Sequence, residues 1–167
     1  MTNKKTNNKC AKRKSEIVSA DVIAGHAYGD IPWLYSDIVK DHFFNPRNFL
    51  KEKEKYGADG IGTEGNYACG DVMMVLIKVD GKKQVIKDCR WRTYGCASAI
   101  ASTSMLSVMI TEKGGMRLNR AARIKPQEII KRLGGLPNRK FHCSVLGHLA
   151  LQAAIDDYKN KHAKKKL

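Results

Sequence analysis

Three cysteines, in Cys69-Gly70-Asp71, Gly95-Cys96-Ala97 and His142-Cys143-Ser144, stand 27 and 47 residues apart. Thiolates bind iron–sulfur clusters and zinc, and an aspartate or histidine beside a cysteine can complete a four-coordinate shell. No Cys-x-x-Cys pair occurs, which disfavours a zinc ribbon or finger. If the three thiols share one site, the chain must fold so that three distant segments meet, and that requirement constrains the architecture more than any local pattern.

The segments around these cysteines read as element ends. Residues 57–70 carry five glycines and are expected to form a mobile loop leading to Cys69. From Asp71 to Val79, Val72, Met74 and Leu76 alternate with Met73, Val75 and Ile77, the pattern of a strand buried on both faces. Gly81 marks a turn, and Gln84 to Tyr94 alternates as a partner strand, so a hairpin is expected that ends at Gly95-Cys96. The small apolar run from Ala97 to Ile110 suits a closely packed helix closed by Gly114-Gly115. Pro126 opens a short helix, and Leu146, Leu149, Ala150, Ala153, Ala154 and Tyr158 mark an amphipathic C-terminal helix. An earlier helix over residues 33–44 stops at Asn45-Pro46. Cys96 and Cys143 then fall at helix N-termini, where the helix dipole favours thiolate, and Lys140 and His142 add positive charge.

The chain has 167 residues and five cysteines. An odd count, with no apolar leader and no run long enough to span a bilayer, points to a reducing, cytoplasmic location without membrane attachment. The formal charge of +15 is uneven: residues 1–16 and 159–167 each carry +5, leaving +5 for residues 17–158. The first stretch reads as a disordered basic arm, and because the charge sits mainly at the ends, nucleic acid is not an expected partner. Cys89 falls mid-strand and reads as a buried hydrophobe, Cys10 as incidental, and His42 as a hydrogen-bonding group at a helix end. His26, His148 and His162 have no ligand neighbour in sequence.

Taken in order, Tyr35-Ser36, Asp41-His42, Asn45-Pro46-Arg47-Asn48, Ala68-Cys69-Gly70-Asp71-Val72-Met73, Tyr94-Gly95-Cys96-Ala97-Ser98-Ala99-Ile100-Ala101-Ser102, Leu136-Pro137, Lys140, His142-Cys143-Ser144 and Ala154-Ile155-Asp156-Asp157-Tyr158 make residues 33–158 resemble the IscU/NifU N-terminal family of iron–sulfur cluster scaffold proteins. The resemblance implies an α+β fold with a small antiparallel sheet of about three strands and helices on one side. It implies a scaffold domain over 31–160, while charge sets off an arm over 1–30 and a lysine-rich tail over 161–167. It further implies cluster ligands Cys69, Cys96, His142 and Cys143, with Cys143 as persulfide acceptor, Asp71 keeping the cluster labile and Lys140 as a partner of Asp71. The implied function is assembly rather than enzymatic turnover: sulfur from a cysteine desulfurase, Fe2+ and electrons from a ferredoxin give a transient [2Fe–2S] cluster that passes to apo iron–sulfur proteins. The alternative is a SufU-like zinc-binding sulfur acceptor, and Zn2+ suits the same ligands in the protein as purified. Three features depart from the family. Leu136-Pro137-Asn138-Arg139-Lys140 replaces Leu-Pro-Pro-Val-Lys and argues against a dedicated Hsp70 partner, the segment before Cys69 is bulkier, and the first thirty residues have no counterpart. SufU proteins are less similar, lacking the histidine before the last cysteine and carrying an insertion that is absent between Ile110 and Pro126.

Overall fold

Ten residues of alternating apolar character, Asp71–Asp80, form the central strand β2 of the computed structural model, which describes residues 35–51, 55–66 and 70–164 within one compact unit. The expected arm over 1–30, together with Cys10, His26 and Cys69, lies outside the described residues, as do the last three residues of the expected tail. β2 pairs antiparallel with β1 (Gly60–Asn66) and β3 (Val85–Tyr94), and the two-residue β4 (Met116–Arg117) extends β3, giving a meander in the order β1-β2-β3-β4. Among the described residues five α-helices complete an α+β fold: α1 (Asp37–Phe44), α2 (Ala97–Thr111), α3 (Leu118–Ala121), α4 (Pro126–Arg132) and α5 (Phe141–Lys164).

For residues 60–66, β1 corrects the expectation of a mobile loop over 57–70. Its glycines are there because α5 lies directly on the strand. A Cβ at Gly60 would sit 2.2 Å from the Ala154 carbonyl oxygen, and one at Gly62 would sit 2.1 Å from that of Ala150 and 2.3 Å from the Ala154 nitrogen. Glycine in this strand removes side chains where a helix backbone passes. At the strand's free edge the Ile61 N–H donates to Asp157 Oδ2 of α5 at 2.9 Å.

The second correction concerns β2. Asp71, Met73, Val75 and Ile77 face the helices and are buried, but on the other face Val72 is 39% exposed and Lys78 is exposed, with only Leu76 well covered. The sheet is therefore covered on one side, where α5 packs on β1 and β2 and α2 packs on β3. The core is Met73, Val75, Ile77, Ile86, Cys89 and Trp91 of the sheet against Leu106, Ile110, Leu151 and Ile155 of the helices, with Ile129 and Leu133 closing one side. Cys89 is buried as expected, and burial pushes its thiol up to about 12.

α2 is buried on nearly every side although it is rich in Ser and Thr. Its hydroxyls bond back to carbonyls three or four residues earlier, as Ser102 does to Ser98 (2.7 Å) and Thr103 to Ala99 (2.8 Å), so they enter the core satisfied. Hydroxyls of α2 also receive the segment from Tyr35 to Asn48. Ser98 Oγ donates to Tyr35 (2.8 Å), the Arg47 N–H donates to Ser104 Oγ (2.8 Å), and Asn48 Nδ2 donates to Ser107 Oγ (3.2 Å). Ser36 caps α1 by accepting the Val39 N–H at 3.2 Å and donates its own proton to the Leu133 carbonyl.

His42 joins this seam with Nδ1 2.8 Å from Ser104 Oγ, so it ties two helices together rather than capping its own. Burial first, and then the neighbouring Arg47 charge, hold its pKa below the ordinary imidazole value of 6.5. Unfolded chain therefore takes up a proton near pH 6.5 that the folded chain still refuses. This contribution to stability is fully present above pH 6.5 and is lost as pH falls below it toward the folded pKa. Urea midpoints should drop between pH 7.5 and 5.5, and His42→Gln should flatten that drop. His148, lowered by burial alone, and Cys96, held far below the ordinary thiol value, retain the rest of the slope. Identical pH slopes for the parent chain and the variant would rule His42 out as the source.

Candidate metal centre

α2 and α5 both begin at the end of the sheet where β2 starts, and each brings one cysteine there. Cys96 is the N-cap of α2, its carbonyl accepting the Ile100 N–H at 3.1 Å. Cys143 lies in the first turn of α5 and is fully buried. Their sulfurs are 3.6 Å apart, and Asp71 Oδ2, at the first residue of β2, is 3.8 Å from Cys96 Sγ and 3.9 Å from Cys143 Sγ. One ligand atom each of Asp71, His142 and Cys143 lies within 4.8 Å of the other two. The edges of a tetrahedron around a metal with bonds of about 2.3 Å measure roughly 3.7 Å. The two thiols and the carboxylate thus hold donor spacings suited to a tetrahedral ion without large rearrangement, and His142 stands beside Asp71 and Cys143 as a further donor.

The electrostatics differ sharply between the two thiols. A hydrogen bond from Cys143 lowers Cys96 to about 5, aided by the Ala99 amide at the helix start and by Lys140, against burial and the Asp71 charge. Cys143 is driven in the opposite direction by that shared proton and by burial. The pair therefore rests as a Cys96 thiolate accepting a hydrogen bond from a Cys143 thiol. Lys140, in the 3-10 turn Asn138–Lys140 that leads into α5, has its pKa raised chiefly by Cys96, with Asp71 the last of several contributors. Cys96 and Asp71 thus both favour the charged form of Lys140.

Of the residues singled out by sequence, Asp71, Cys96, Lys140, His142 and Cys143 converge here, while Cys69 lies outside the described residues. Two contributors escaped that reading. A Cβ at Gly95 would meet Asp71 Cγ at 3.1 Å and Ala99 Cβ at 3.0 Å, so the absence of a side chain at 95 makes room for the carboxylate beside Cys96. Tyr35, bonded to Ser98, is also close enough to raise Lys140. The Tyr-Gly-Cys order carried the first signal; the second had only its place in the Tyr35-Ser36 block.

With this geometry established, comparison with known proteins is decisive: the NifU-like N-terminal domain matches residues 34–165. The chain belongs to the NifU-like N-terminal domain family. A relative from Archaeoglobus fulgidus, named iron–sulfur cluster assembly scaffold protein IscU 1, is 46% identical over 131 residues, covering 78% of this chain and 80% of its own length. The Aquifex aeolicus iron–sulfur cluster assembly scaffold protein IscU is 43% identical over 130 residues, covering 78% and 79%. The crystal structure of a NifU-like N-terminal protein from Brucella abortus superposes with a TM-score of 0.57 at 19% identity, covering 77% of this chain and 96% of that one, which shows a shared fold. Within this NifU-like domain the matched span takes in every described donor of the site.

Proposed function

We propose that this chain is a scaffold on which iron–sulfur clusters are assembled and from which they are passed on. The single observation that carries the reading is the convergence of Cys96, Cys143 and Asp71 within 3.9 Å, beside His142, at one end of the sheet, in a chain whose relatives are named as such scaffolds. The cargo is iron and sulfide, ending as a [2Fe–2S] cluster held by Cys96, Cys143 and His142 together with Cys69.

In this reading Cys143 accepts sulfur: once its thiol is released from the hydrogen bond to Cys96 and gives its proton to solvent, the thiolate attacks the outer sulfur of a cysteine desulfurase persulfide, forming a new S–S bond and releasing the desulfurase thiolate. Cys143 is buried, so the first turn of α5 must open before that attack. Cys96, already anionic at neutral pH, is the thiol ready to take Fe2+ without first losing a proton. Asp71 supplies an oxygen donor, which holds iron less firmly than a thiolate and so favours release. Lys140 offsets the negative charge gathered by two sulfurs and a carboxylate. A ferredoxin as electron donor and apo iron–sulfur proteins as recipients complete the partner set, and a cytoplasmic location follows from the same reading. No described helix is long and apolar enough to cross a membrane.

The test is anaerobic reconstitution with a cysteine desulfurase, cysteine, reductant and ferrous iron. Visible charge-transfer absorption should grow in and decay on addition of an apo-ferredoxin, with the recipient gaining its own spectrum. A colourless protein that retains one zinc per chain and still draws sulfur from the desulfurase would replace the scaffold by a zinc-dependent sulfur acceptor.

A further inference from the structure

The end of the domain away from the metal centre concentrates positive charge from four separate segments. Lys82 and Lys83 lie in the β2–β3 turn, Lys87 follows at the start of β3, and Lys113 and Arg117 flank the Gly114-Gly115 turn into β4. The fold brings them together. Lys87 Nζ donates to the Gly114 carbonyl at 3.3 Å, Arg117 pairs in register with Val85, and the Leu118 N–H donates to the Gln84 carbonyl at 2.9 Å. All five are exposed, and none forms an ion pair among the described residues. The acids nearby are otherwise engaged: Asp80 accepts the Lys82 and Lys83 backbone N–H groups at 3.1 Å each, Glu112 holds Arg132, and Asp156 and Asp157 hold Lys159 and Lys161.

Against these cations lies an open groove of about 440 Å³ lined by Gly81, Gln84, Tyr158, Lys159, His162 and Ala163. Exposed His162 packs at a tilt of 39° against buried Tyr158 with ring centroids 4.2 Å apart, and its Nδ1 lies 3.0 Å from the Tyr158 carbonyl oxygen, so the ring is held in place at the groove. We infer that this end of the domain binds single-stranded nucleic acid, with its phosphates over the lysines and a base entering the groove against His162.

Three features favour that occupant. The cations are dispersed over a surface rather than converging on a point, which matches a phosphodiester chain better than a single anion. A histidine ring beside them supplies base stacking. Exposed apolar surface is sparse at this end, where Ile61 on the β1 edge stands open, and a single isoleucine offers little to anchor in a bilayer or to fill a partner protein's pocket. Charge counted by segment conceals this arrangement, because the fold brings cations from separate segments to one end of the domain. Binding here leaves the metal centre open: β2 runs ten residues from Asp71 at that centre to Asp80 at the basic end, roughly 30 Å.

Fluorescence anisotropy on the full chain, with a labelled single-stranded RNA, the same sequence as single-stranded DNA and a duplex, tests the inference. Micromolar binding of single strands is expected at low salt, weakening with a log–log salt slope of about −3 for some four neutralised phosphates. Lys82→Glu with Lys83→Glu should weaken it at least tenfold. His162→Ala should weaken single strands about fivefold and leave the duplex unchanged. The RNA and DNA arms identify which strand is the better ligand. The variants lie outside the metal centre, so unchanged circular dichroism and cluster loading confirm that they fold. Affinity unaffected by the lysine reversals would assign binding to the basic ends of the chain and overturn the inference. So would equal competition by polyglutamate or by anionic vesicles at matched charge.

Discussion

Cys96→Ser is expected to leave less than a tenth of the reconstituted cluster absorption and to abolish transfer. The sulfur at 96 is a donor, and it is also the acceptor that fixes the Cys143 proton. A serine hydroxyl in its place stays neutral, so the site loses its resting anion and Lys140 loses its main attraction. A second readout separates this from simple loss of a ligand. With a pKa of about 5 instead of the ordinary 9.0, Cys96 is mostly thiolate at pH 6, where an ordinary thiol is ionised to about one part in a thousand. Iodoacetamide at pH 6 should therefore modify one residue at least ten times faster than the others, with the rate falling as pH drops through about 5. Cys96→Ser should remove that fast phase, and Cys89 should stay unmodified in the folded chain. A fast phase that survives the substitution would locate the resting anion elsewhere.

Gly62→Ala should destabilise the domain by about 4 kcal/mol, at the upper end for one substitution and a large share of the roughly 5–15 kcal/mol that holds a domain folded. The added methyl would lie 2.1 Å from the Ala150 carbonyl oxygen, 2.3 Å from the Ala154 nitrogen and 2.9 Å from the Ala153 carbonyl carbon. Every one of these is helix backbone, so no side chain can swing aside and α5 itself must lift from the sheet. Because α5 carries His142 and Cys143 at its other end, lifting it also loosens the metal centre. Gly65→Ala is the control within the same strand: its nearest neighbours would be 3.8 Å away, ordinary contact, and the expected change is within about 1 kcal/mol. Chemical unfolding of the two variants reads the difference, and equal losses would mean that backbone freedom rather than helix contact governs this strand.

Much of the architecture was legible because periodicity and punctuation agreed. Pro126 opens α4, Gly114 and Gly115 adopt positive φ where α2 has ended, and β2 and β3 pair as the alternating patterns require. The donors were legible because their chemistry is rare: a thiol beside an aspartate or a histidine has few other uses. β1 was not legible, because glycines that admit a helix backbone look the same in sequence as glycines that loosen a loop. The open face of β2 was hidden for a related reason, since Val72 and Met74 are apolar whether or not anything covers them. His42 and the basic end depend on contacts between segments far apart in sequence, such as His42 with Ser104 or Lys87 with Gly114, and no local pattern carries such information.

The bond from the Ile61 amide to the Asp157 carboxylate has a consequence for self-association. A glycine-rich outer strand with a free backbone edge is a template onto which another chain can add a strand. Here the helix lying on that strand sends a carboxylate around to occupy one of the outward amides, and Lys161, 2.6 Å from the same oxygen, keeps that carboxylate ionised. The helix that presents His142 and Cys143 at its start thus also guards, near its far end, the border along which copies of the chain would zip together into aggregates.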